Sequence, residues 1–291
     1  MATQTRRVTE QPLNLVLRPH SPAAAAFRSA VLAPGFEPAP GLDLQYLGGR
    51  TLPELAYRLV YLGRWQPAER RRLAAALAAA MRDPGLNAIL AQYFPGAAVA
   101  ATFAGSRVQR GIVPDRIDKQ GVEAAVSRVA ETDDGDAVVC VLLPRGTVLV
   151  ERDGVTSETG LAGFHGSIHL RSKTVYYAVA VYSEGSNGIV AFDAPWKNVC
   201  ATLYHELQEV RTDPDVEDAI RAGHSPAAAH FLGWYSPSGG EIGDIPIAES
   251  HGDIELAMKE VPLAGGGTAP VQLMWSNRVG GPEAPPASWP S

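Results

Sequence analysis

Val199-Cys-Ala-Thr-Leu-Tyr-His-Glu-Leu-Gln-Glu-Val-Arg-Thr-Asp213-Pro214 is the stretch from which the fold is read. Asn198 before it suits an N-cap and Asp213-Pro214 a stop, so the pattern predicts one helix over 199–211. Val199, Leu203, Leu207 and Val210 recur at steps of four, four and three, which makes one apolar stripe. Thr202, His205, Glu206 and Glu209 fall on the other side. His205 and Glu209 stand one turn apart, so both side chains can reach one point in space. Glu206 sits beside them.

This is the pattern of a zinc-protease helix, where two ligands one turn apart hold the ion and the neighbouring Glu is the general base. Glu209 replaces the usual second histidine, and carboxylate is a legitimate zinc ligand. The same residues also read as a solvated helix face with a chance His-Glu pair. From the helix alone, both readings stand open.

The chain has 291 residues, 46% of them hydrophobic, and a net charge of -6. Such a chain can build one large domain or two small ones around a substantial core. No clustered basic face accompanies the negative charge, which argues against a nucleic-acid partner. The run Arg70-Arg71-Arg72 follows Glu69 on a predicted helix and reads as its solvated face. Cys140 and Cys200 lie in apolar segments and read as buried thiols, not as a disulfide or metal pair. No segment approaches the ~18 apolar residues of a membrane span, so no membrane partner is expected. Arg6-Arg7 is followed by polar residues, so no secretory or twin-arginine signal is read. A cytoplasmic location is the default expectation. Export by a machine that reads no N-terminal signal would leave the same trace.

Residues 1–40, rich in Ala and Pro, read as an arm that is flexible or docks on a larger assembly. The domain is expected over 41–280, and residues 281–291 as a flexible Pro- and Gly-rich tail. Strands are predicted over Tyr57–Gly63, Ala137–Leu143, Val175–Tyr182 and Val271–Trp275, with Thr147–Val150 continuing the sheet. Helices are predicted from Pro67 to Asp83, over Leu86–Tyr93, and from a cap at Asp118 through Val129. Asp133–Asp136 reads as a solvated turn, since the rest of a calcium loop is missing. The expected fold is α/β (α+β): a single zincin-like domain with a mixed sheet and an active-site helix.

Several stretches, in order, resemble the EXORDIUM-like (phosphate-induced protein 1) family and its bacterial relatives. They are Leu62-Gly-Arg-Trp-Gln-Pro-Ala-Glu-Arg70, Ala162-Gly-Phe-His-Gly-Ser167, His205 to Pro214, Trp234-Tyr235 with Glu241-Ile-Gly-Asp244, and Trp275-Ser276-Asn277. The resemblance spans about residues 55 to 280. Family cysteines beside the His-Gly-Ser motif and after the Glu-Ile-x-Asp motif are absent here, the second replaced by Pro246, which fits a reducing compartment. Members differ in keeping the His-Glu-x-x-Glu helix, and no defined reaction carries over.

The resemblance implies a third ligand, because two ligands from one helical turn leave a zinc site incomplete. Glu241 is the choice, with Asp244 orienting a ligand histidine, as in thermolysin-like proteases. Asp213, Asp215 and His165 stand as supporting or alternative ligands. Asp215 matches a metzincin-type spacing, and His165 could border the same cleft. His169, His224, His230 and His251 carry no motif. Two functions are therefore carried forward. One is a zinc metallopeptidase acting on a peptide or protein, with metal on His205, Glu209 and Glu241 and with Glu206 as general base. Its anionic ligand set would also suit manganese or calcium. The other is a non-catalytic zincin-like binding module or cargo protein of a larger assembly.

Overall fold

A computed structural model describes residues 30–132, 135–151, 154–171, 173–223 and 228–285. Most of the predicted arm, Asp133, Asp134, His224 and residues 286–291 lie outside the described residues. In chain order the first elements are β1 (Val31–Leu32), β2 (Gln45–Tyr46), β3 (Glu54–Leu62), α1 (Pro67–Arg82), α2 (Pro84–Leu90) and β4 (Ala100–Gln109). Next come β5 (Arg116–Asp118), α3 (Lys119–Ala130), β6 (Val138–Leu142), β7 (Val148–Val150), β8 (Gly163–His169) and β9 (Thr174–Ala180). The last part holds α4 (Pro195–Thr212), α5 (Val216–Ala222), β10 (Trp234–Tyr235), α6 (Asp244–Glu249), α7 (Ile254–Ala257) and β11 (Met258–Pro262). It closes with β12 (Thr268–Gln272), β13 (Trp275–Ser276) and β14 (Gly281–Ala284).

Five strands make one mixed sheet in the order β4-β3-β6-β9-β8, parallel except for the edge strand β8, which runs antiparallel to β9. The period of two along β3 sorts side chains to two cores. Tyr57, Leu59 and Tyr61 meet Leu73, Leu77 and Met81 of α1 and Leu203, Leu207 and Val210 of α4. Val60 and Leu62 meet Val122, Val126 and Val129 of α3 on the opposite face. β6 is covered on both faces and all its residues are buried, as a continuous apolar run requires. The fold is thus mixed α/β. Both cysteines are free and buried, Cys140 in β6 and Cys200 in α4.

Helix α4 begins a turn earlier than its predicted cap. Pro195 occupies its first turn, where a fixed φ and a missing N–H cost nothing. Asn198 instead lies inside the helix, where its Oδ1 accepts from the backbone N–H of Ala191 and Phe192, both at 2.9 Å, and so ties down the preceding loop. Asp213 does end the helix. Asp118 caps α3 as expected, accepting from the Gly121 N–H at 2.9 Å.

Three organisational expectations are corrected. β7 does not continue the main sheet; it pairs with β5 in a separate two-stranded sheet. The tail expected from residue 281 contains β14, which pairs with both β1 and β13. The arm expected up to residue 40 therefore ends before β1, and Ala33 and Phe36 are part of the core. A network of single bonds makes this clasp specific. Asn277 exchanges hydrogen bonds with both backbone groups of Leu44, Trp275 Nε1 donates to Asp43, and Arg278 pairs with Glu283. No helix among the described residues is long and apolar enough to cross a membrane.

Candidate metal centre

Helical repeat brings His205, Glu206 and Glu209 to one side of α4, and all three are buried. The solvated-face reading is overturned: α4 is buried continuously from Asn198 to Thr212. β8 supplies His165 from the sheet edge. A turn through Gly240, in the left-handed region at φ 95, delivers Glu241 and then Asp244 at the start of α6. β12 contributes Gln272.

His205 Nε2 lies 3.1 Å from Glu209 Oε2 and 3.7 Å from Asp244 Oδ1. His165 Nδ1 lies 3.4 Å from the same carboxylate oxygen, while His165 Nε2 is 3.5 Å from Glu241 Oε1. Among the described residues two donor sets converge within 4.8 Å, His205–Glu209–Asp244 and His165–Glu209–Glu241. The expected set of His205, Glu209 and Glu241 is not one of them. Asp244, expected to orient a ligand or to stand as an alternative one, takes the third place beside His205, and Glu241 joins His165. With 60% of the Asp244 side chain exposed, the first set opens to solvent.

Outer partners fix the rings. Gln272 Nε2 donates to the Gly243 carbonyl at 2.6 Å, so its Oε1 is the end that faces His205 Nδ1 at 2.8 Å. Nδ1 must then be the donor, which turns Nε2 toward the carboxylates. A buried histidine held this way is pre-oriented as a ligand. His165 repeats the device: its Nε2 donates to the Asp213 carbonyl at 3.2 Å, leaving Nδ1 facing Glu206 and Glu209. Gly243 packs directly on this layer. A Cβ there would stand 2.6 Å from His205 Nδ1 and 2.9 Å from Glu209 Oε1, although its backbone φ of -90 is ordinary. Its N–H donates to Glu209 Oε1 at 3.2 Å.

Asp213 supports the site through its backbone, and its Oδ1 accepts from the Gly233 N–H. Asp215 is tied elsewhere, to the Tyr176 hydroxyl at 2.8 Å and to Arg50, and belongs to neither donor set. His169 is bonded to Thr174 and Asp218, while His230 and His251 are exposed.

The charges are crowded and poorly solvated. Burial alone would lower the pKa of both histidines, but the carboxylates outweigh it. Glu209 and Glu206 raise His205 well above its usual value, and Glu241, Glu206 and Glu209 do the same for His165. Burial raises Glu206 and Glu241. Glu209 goes the other way: burial is outweighed by the two imidazoles, and its pKa falls. In this arrangement protons hold the places that a cation would take. The donor types and spacing therefore fit a divalent ion.

Two cleft lobes, of about 270 and 170 Å³, both reach His205, Glu206 and Asp244. The smaller is lined by Leu161, Ala162, Ile189, Ile247 and Met258, the larger by Lys119, Phe164, Val216 and Ile220. A cavity of about 950 Å³ at the carboxyl ends of β3, β4, β6 and β9 is larger but lies apart, lined by arginines and holding neither donor set. Sequence reasoning missed Gln272 and Gly243. A glutamine inside the apolar strand Val271–Trp275 was the available signal for the first. No family model, curated protein or solved structure matches the chain.

Proposed function

We propose that this chain is a metal-dependent hydrolase with a zincin-like site, most simply a zinc metallopeptidase. The observation that carries this reading is the wiring of His205: its outer nitrogen is tied to Gln272 and its inner nitrogen faces Glu209 and Asp244, beside Glu206. A divalent ion held there would supply Lewis-acid polarisation of a scissile carbonyl and acidify water. Imidazole favours zinc, and the carboxylates widen tolerance to manganese.

Glu206 borders both cleft lobes, so a scissile bond lying across them would present its water to this carboxylate. Its raised pKa places it nearer the working range of a general base. Glu206 would take a proton from the attacking water and pass it to the leaving amine. Gly163 makes room for it, since a Cβ at that position would stand 3.0 Å from Glu206 Oε1. β8 supports a peptide as substrate. It is an edge strand whose residues Gly163, Phe164 and His165 line the larger lobe, where an extended chain can add as a further strand. Arg221 covers this edge only further along, at the Ser167 carbonyl. The EXORDIUM-like resemblance supports the residue set and adds no reaction.

The test is cleavage of unstructured peptides by the zinc-loaded chain, followed by mass spectrometry, beside Glu206→Gln. The variant should keep its zinc and lose about 10²- to 10⁴-fold in rate. Absence of cleavage by the loaded wild type would remove the peptidase reading, and a fully active Glu206→Gln would remove Glu206 as the base.

A further inference from the structure

We infer that the centre is built for two divalent ions bridged by Glu209, one held with His205 and Asp244 and the other with His165 and Glu241. The inference rests on the metal-dependent reading above and gives that site its nuclearity. It starts from the two histidines. Their inner nitrogens approach the same oxygen, Glu209 Oε2, at 3.1 and 3.4 Å, yet the two rings belong to different donor sets. Glu209 is common to both sets, and neither set contains both rings. An ion seated in one set therefore uses one ring, and the other ring is left with Glu209 and a further carboxylate for a second ion.

Charge points the same way. Glu206, Glu209, Glu241 and Asp244 surround the rings, and none has a Lys or Arg ion pair among the described residues. One divalent ion would leave part of the charge of the three little-exposed carboxylates, Glu206, Glu209 and Glu241, uncompensated, whereas two ions match all four. Glu241 Oε1 is buried without a hydrogen-bond partner, an acceptor left for a cation. His165 has the same support as His205, with a protein oxygen fixing the outer nitrogen. One imidazole with two carboxylates per ion suits zinc or manganese.

The experiment is metal stoichiometry on the full chain, stripped by chelator, reloaded with Zn²⁺ or Mn²⁺ and freed of excess metal. Elemental analysis should return about two ions per chain, and the Mn²⁺ form should give the spin-coupled resonance spectrum of a bridged pair. His165→Gln and Glu241→Gln should each retain about one ion and lose the coupling, with folding checked by circular dichroism. One ion per chain in the wild type, or two without coupling, overturns the paired centre and leaves the single-ion hydrolase in place. No bound ion overturns both. The wild-type spectrum decides the question even if the variants fail to fold.

Discussion

Gln272→Leu isolates the support of His205 from the ligands themselves. The amide is buried and makes two bonds, accepting from His205 Nδ1 at 2.8 Å and donating to the Gly243 carbonyl at 2.6 Å. Leucine has nearly the same volume and removes both. Each stranded buried partner costs about 1–3 kcal/mol, so the metal-free protein should lose about 2–5 kcal/mol after some return from the added apolar contact. That remains within the usual 5–15 kcal/mol stability of a domain, so the variant should fold. Metal affinity should fall separately, by about 10- to 100-fold, because the His205 ring is no longer held with Nε2 inward. Urea denaturation of the metal-free protein reads the first quantity, and competition against a zinc-binding dye reads the second. Gln272→Glu is the control. It keeps an acceptor for His205 Nδ1 but none of the donation to Gly243, so stability should drop while metal affinity is held. An unchanged zinc affinity in Gln272→Leu would refute the claim that this amide orients a ligand.

Other consequences are as direct. Gly243→Ala places a methyl 2.6 Å from the His205 ring without straining the backbone, so overpacking of about 1–3 kcal/mol and a fall in bound metal are expected; wild-type metal content would contradict it. A chain starting at residue 41 loses β1, Ala33 and Phe36, and burial of Phe36 alone is worth about 1.5–3 kcal/mol, so its melting temperature should drop measurably. An unchanged melt would return these residues to the arm. Burial raises the Asp213 carboxyl to about 7 from 3.8, so the folded, metal-free protein keeps a proton that the unfolded chain releases, and this stability is lost as pH rises through that window. His205 and His165, raised above 6.5, lose theirs at higher pH still, while the lowered Glu209 loses its own only on acidification below 4.5. The metal-free melting temperature should therefore fall between about pH 5 and 8, and zinc should stabilise more as pH rises because protons compete for the same nitrogens. A metal-free melt that rises over that range would count against the buried cluster.

Local rules carried the sequence reading a long way. The spacing of His205, Glu206 and Glu209 is set by the helical repeat, and it holds wherever the helix packs. The apolar runs at Val138–Leu142 and Thr174–Ala180 had to be covered on both faces, so their place in a sheet followed from composition. Burial of Cys140 and Cys200 followed in the same way. By contrast, the apolar stripe of α4 says only which side is buried first. Whether the opposite side meets water depends on β8 and the turn before α6, which are remote in sequence. The same holds for the division of Glu241 and Asp244 between two histidines, three residues apart on a turn whose path is set by packing. Gln272 reaches His205 across 67 positions and β1 reaches β14 across the whole domain. The sequence by itself determined that His205, Glu206 and Glu209 share one side of a single helix. Only the tertiary structure decided that Glu209 stands between two imidazoles, because contacts of a few ångströms between distant segments are fixed by packing and not by periodicity.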